Sequence, residues 1–135
     1  MFRSLLIIKV IIVLLSIFLI QGCSQSKLLT ADLSQIKKIT ITSKSQIAEY
    51  TMEKNEDKII QIYELINSTK TRTEAKPNAS NEQTSEPYYI IDINYQNASQ
   101  DTIYSTETGK FIYKKLSGNG WVGGTNEQLK ELLRI

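Results

Sequence analysis

Cys23 is the only thiol in the sequence, and histidine is absent altogether. Those two facts exclude imidazole general bases and the common zinc sites, and leave one candidate thiolate nucleophile. A carboxylate pair remains as a general acid and base, but no two acidic residues stand out from an ordinary solvated distribution. Gly118, Gly120 and Gly123 fall in GxGxxG spacing within GNGWVGG, the local pattern of a dinucleotide-binding turn. That fingerprint also needs a second parallel strand and an acidic residue about 20 positions later, and the sequence reaches Ile135 before either. A tight turn with a close helix approach explains these glycines better. Asp92, Asn94 and Gln96 alternate like the start of a calcium loop. Asn97 stands where that loop needs glycine, however, and Ile103 where it needs a bidentate glutamate. Asn67, Asn78 and Asn97 each begin an N-x-S/T sequon and read as loop composition. The expectation is a protein that is not an enzyme and takes no cofactor and no metal.

The position of Cys23 suggests a different use for its sulfur. After Arg3, residues 5–20 are apolar apart from Lys9 and Ser16, which makes a charged start followed by a short hydrophobic stretch, the outline of a secretory signal. It ends in Leu19, Ile20, Gln21, Gly22 and Cys23. This segment resembles the lipobox of bacterial lipoproteins, with an aliphatic residue at −3, a small one at −1 and cysteine at +1; Gln21 stands at −2, where Ala or Ser is more usual. The resemblance implies a cut between Gly22 and Cys23, a diacylglyceryl group on the Cys23 sulfur, and a protein anchored in the cell membrane and facing outside the cytoplasm. Two acyl chains hold far better than one, at about 0.8 kcal/mol per buried CH₂. The alternatives are an uncleaved transmembrane helix, for which about 17 apolar residues lie at the lower limit, and a buried structural cysteine, which the polar stretch SQSKLLTADLSQ after it argues against.

Removing residues 1–22 takes away Arg3 and Lys9 and leaves fourteen basic and fourteen acidic side chains. No basic stripe remains, so nucleic acid is not an expected partner. With no second cysteine, an intramolecular disulfide is impossible. The organisation expected is a signal peptide at 1–22, lipidated Cys23 with a short solvated tether to residue 35, and a single domain at 36–135, within the usual size for one core.

Ile39 and Ile41 alternate in KKITITS (37–43) as in a half-buried strand, and QIAEYTME (46–53) returns beside it. Ile59, Ile62, Tyr63 and Ile66 recur at helical spacing, with Asn55 as N-cap and Glu56 and Asp57 in the first turn. Residues 69–87 hold no aliphatic side chain larger than Ala; their alternating Thr and charged residues suggest a charged edge strand, then a polar loop. YYIIDINYQN (88–97), DTIYSTE (101–107) and KFIYKKL (110–116) predict a three-stranded meander, with turns at 97–100 and at Thr108 and Gly109. Thr125 and Gln128 form a capping box before Leu129, Leu132 and Leu133.

The order ββαβββα predicts an α+β domain, an antiparallel sheet of four to five strands with two helices on one face. This succession is similar to small lipoprotein domains of uncharacterised function from low-GC Gram-positive bacteria, a resemblance that implies a fold and a habitat but no activity. The expected turns put Ile93, Tyr104 and Tyr113 on the face under the helices. Tyr88, Asp92, Asn94, Ser105 and Lys114 then share the opposite face with Ile90, Ile103 and Ile112, a candidate recognition surface. Trp121, the only tryptophan, either closes the core or is an exposed aromatic anchor. The function expected is a non-catalytic binding module for an envelope protein or peptide. The alternative is an immunity lipoprotein that intercepts an antimicrobial peptide, and a third idea makes the signal fragment SIFLIQG itself a released signalling peptide.

Overall fold

The computed structural model describes residues 28–73, 88–118 and 120–134. The signal segment, Cys23 and most of the loop expected at 69–87 lie outside the described residues. Strands β1 (Ile36–Thr42), β2 (Ile47–Thr51), β3 (Thr71–Thr73), β4 (Tyr89–Tyr95), β5 (Gln100–Ser105), β6 (Phe111–Lys115) and β7 (Trp121–Thr125) form one sheet in the order β2-β1-β4-β5-β6-β7-β3. Every neighbouring pair is antiparallel. Helices α1 (Met52–Ser68) and α2 (Leu129–Leu132) complete the α+β domain. The class is the expected one; the strand number is seven rather than four to five.

Isoleucine spacing builds the core. Ile39 and Ile41 of β1, Ile91 and Ile93 of β4, Ile103 of β5 and Ile112 of β6 point to one side of the sheet. There they meet Ile59, Ile62 and Ile66 of α1 and Leu129 and Leu133 at α2, all fully buried. The α1 segment leaves β2 at one edge and delivers the chain to β3 at the other, with a break at Asn55, so it carries the chain across the sheet.

Four local expectations are corrected. First, α1 begins at Met52, four residues before the expected first helical residue Glu56, and Asn55 (φ −139°, ψ 38°) is the break between its first turn and the main helix, with Thr51 in the N-cap position. The Asn55 side chain instead accepts the Thr51 N–H at 3.4 Å. Second, WVGGT is strand β7, not a glycine turn, because it pairs with both β6 and β3. Third, Thr125 ends that strand, and Asn126 Oδ1 takes the Gln128 N–H at 3.1 Å in place of a capping box. Fourth, residues 28–35 are not a solvated tether: Leu28 is 1% exposed and Leu29 is also buried in the core, followed by a 3-10 turn at Leu33–Gln35.

The largest correction concerns the faces of the sheet. Ile93 pairs with Asp101, Ile91 with Ile103 and Ile90 with Tyr104. The β4–β5 hairpin closes tightly through Tyr95 and Ser99, with Ala98 in a left-handed conformation (φ 65°). Its register differs from the expected one by an odd number of residues, so β5 and β6 are turned over relative to β4. Ile103, Ser105, Ile112 and Lys114 therefore lie on the helix side, and Tyr104 and Tyr113 on the open side.

Candidate functional site

Two arrangements bring polar or aromatic side chains together. The first lies inside the helix face, where Asp101 (2% exposed) sits among apolar residues. Its phase in β5 is that of Ile103, and Lys114 has the phase of Ile112 in β6, so strand alternation drives both charges inward. Asp101 Oδ2 accepts hydrogen bonds from the Tyr95 hydroxyl (2.6 Å), the Thr30 N–H (2.8 Å) and the Thr30 hydroxyl (2.9 Å). Its other oxygen pairs with the Lys114 ammonium, which also donates to the Leu28 carbonyl at 3.0 Å. Burial alone would raise the Asp101 pKa, but the donors Lys114, Tyr95 and Thr30 outweigh it and hold the carboxyl below the usual value. Tyr95 is shifted upward by burial and by the Asp101 carboxylate. With its carboxylate filled by donors and its lysine committed, the cluster is a clamp holding residues 28–30 to the sheet.

The second arrangement is on the face of the sheet opposite the helices. Its β1, β2 and β4 side is polar: Lys38 pairs with Glu49 at 2.8 Å. Asp92 Oδ1 accepts from Thr102 Oγ1 and Gln100 Nε2, both at 2.8 Å. Towards β7 it becomes aromatic. The Tyr104 and Tyr113 rings stack at 5.4 Å, and Trp121 meets Tyr113 edge-on at 5.6 Å. Phe111 flanks Tyr113 at 5.7 Å. Tyr113 is 2% exposed, while Tyr104 and Trp121 are half-buried. Burial raises the Tyr113 pKa, with Tyr104 adding to it, so the Tyr113 hydroxyl is neutral at neutral pH. A half-apolar sheet face with rings at one end and hydrogen-bonding groups at the other suits protein or peptide recognition.

Among the residues singled out from the sequence, Asp92, Asn94 and Trp121 share this open face. Tyr88 continues its line just ahead of β4, packed against Tyr89 with the Lys44 ammonium 5.7 Å from its ring. Lys114 does not belong there, nor does Ser105; both are on the helix side. Trp121 takes neither expected position in pure form: it is outside the main core and half-buried in the aromatic cluster. Asp101, Tyr95 and Thr30 were missed. Their signal was a charge at the phase of isoleucines in each of two neighbouring strands.

A shallow groove of about 440 Å³ between α1 and α2 is lined by Gln61, Glu64, Leu65, Ser68 and Leu132. Among the described residues no three His, Cys, Asp or Glu side chains gather as metal ligands, and no helix is long and apolar enough to cross a membrane. Comparison with protein-family models, with curated proteins and with solved structures returned no match.

Proposed function

We propose that the protein is a membrane-anchored extracytoplasmic lipoprotein whose domain is a non-catalytic binding module, offering the open face of its sheet to an envelope protein or peptide. The observation that carries the binding role is the aromatic group Tyr104, Tyr113 and Trp121 beside the hydrogen-bonding group Asp92, Asn94 and Thr102 on a face that no helix covers. The anchor rests on LIQGC after an apolar stretch, and Cys23 is the acylated residue. Because Leu28 already belongs to the core, only residues 24–27 separate the anchor from the domain. The module is thus a membrane-proximal one.

The anchor is tested by Cys23→Ala. The expected result is accumulation of the larger precursor and loss of labelled palmitate; normal processing and labelling would dismiss the lipoprotein reading. The binding face is tested separately with Tyr104→Ala combined with Asp92→Ala, measured by crosslinking in intact membranes and by thermal unfolding. A folded variant that no longer crosslinks to the partner of the wild type supports the face, and unchanged crosslinking removes it.

A further inference from the structure

Two large apolar side chains stand out from the surface of the described residues, Ile47 at 73% and Leu116 at 41% exposure. They lie at opposite ends of the sheet. Ile47 pairs with Thr42, at the end of β1 remote from Ile36. Leu116 follows β6, at the end where β1 begins, β4 finishes and β5 starts. The position of the N-terminal segment distinguishes them, since the Lys114 ammonium holds the Leu28 carbonyl at 3.0 Å and Asp101 holds Thr30. The chain therefore joins the domain at the Leu116 end. At about 3.3 Å per residue the length of β1 puts Ile47 roughly 20 Å further away.

Five residue steps separate Cys23 from Leu28, a reach of at most about 18 Å by covalent geometry alone. Beyond Lys114, β6 continues through Lys115 and Leu116 to the turn at Ser117 and Gly118. The β5–β6 register brings Leu116 level with Asp101, so the turn lies at the same end of the sheet as the clamp. The Leu116 N–H closes the turn on the Gly120 carbonyl at 2.9 Å, and Trp121 lies directly across from Lys115. An exposed leucine, a tryptophan and a lysine at the tip of one hairpin are the residue types that favour a bilayer interface: the apolar side chain enters, the indole sits at headgroup level and the ammonium reaches phosphate.

We infer that the β6–β7 hairpin tip, through Lys115, Leu116 and Trp121, is a second membrane contact that docks the domain on the lipid surface with β6 and β7 pointing down. The inference rests on the acylation of Cys23. The covalent anchor supplies the attachment, and the tip sets the tilt that holds the open sheet face upright.

Trp121 is the sole tryptophan and so an unambiguous reporter. The full-length protein purified from membranes is reconstituted into vesicles of equal parts phosphatidylcholine and phosphatidylglycerol, with and without a headgroup spin-labelled lipid. Flotation with the vesicles reads the anchor, and quenching of Trp121 reads the tip. The wild type is expected to float and to lose about half of its emission or more to the labelled lipid, as an indole at headgroup depth would. Lys115→Glu combined with Leu116→Ser is expected to float equally and lose most of that quenching, with its unfolding midpoint measured alongside; should the variant fail to fold, quenching of the wild type still decides. A wild type that floats while its Trp121 stays unquenched by labelled lipid overturns the inference and leaves the anchor intact. Crosslinking of Leu116 to a protein in place of lipid quenching overturns it in favour of a protein partner. Failure to float overturns the anchor, and the inference with it.

Discussion

At the scale of single residues, the domain depends most on a charge that a simple core would exclude. Asp101 is buried, yet all its acceptor capacity is directed at Lys114, Tyr95 and Thr30, and no buried side-chain polar atom among the described residues lacks a partner. Removing one member of a buried pair leaves the other uncompensated, at about 3–5 kcal/mol. Asp101→Asn and Lys114→Met should each lower stability by about that amount in urea unfolding, whereas Tyr95→Phe, which deletes one donor, should cost only ~1–3 kcal/mol. The Asp101 carboxyl ionises more readily folded than unfolded. Its stabilisation is therefore present above the unfolded-state pKa of about 4 and is lost as pH falls through the lower folded-state value. Melting temperatures followed downward from neutral pH should fall below about pH 4 in the wild type, with a shallower fall in Asp101→Asn. An identical slope would show that other carboxylates carry the acid transition. Isoleucine alternation announced the surrounding core, and the two charges in phase with it were legible in principle. Their partner Thr30 was not, because no pattern within residues 24–35 distinguishes a solvated tether from a segment tied down 71 residues away.

At the scale of elements, the β4–β5 hairpin and strand β7 show where sequence patterns end. Ala98 holds φ at 65°, a conformation that costs an L-residue about 1–2 kcal/mol. Ala98→Gly should raise stability by a net ~0.5–1 kcal/mol after the added freedom of the unfolded chain, or roughly 5 °C in melting temperature. A loss of stability would mean that Ala98 packs against something the turn requires. Strand β7 was hidden because Gly123 and Gly124 depress strand propensity and mimic a turn. The reason for glycine is tertiary: a Cβ on Gly124 would lie 2.2 Å from the Lys70 carbonyl oxygen, where β3 closes on β7. Gly124→Ala should therefore detach β3, seen as fast amide exchange at Thr71–Thr73 with the β4–β5 pair still protected. The long elements α1 and β4 were legible because each shows its own period over enough residues.

At the scale of the molecule, the N-terminal segment belongs to the domain. Leu28 and Leu29 belong to the buried core cluster, so Leu28→Ala should cost about 2–5 kcal/mol, measurable by urea unfolding; an effect within ~0.5 kcal/mol, as at an ordinary surface position, would return the segment to the role of tether. The sequence by itself determined the α+β class, the isoleucine core, the principal helix and the residues that share a face within each strand, because these follow from periods of 3.6 and 2 read along contiguous chain. Only the tertiary structure decided which faces of neighbouring strands lie together, that Lys114 turns inward while Tyr104 and Tyr113 turn out, and where the chain enters the domain. Those outcomes depend on the residue count of one tight turn and on contacts between residues far apart in the chain, and an odd change in that count reverses every side chain beyond it.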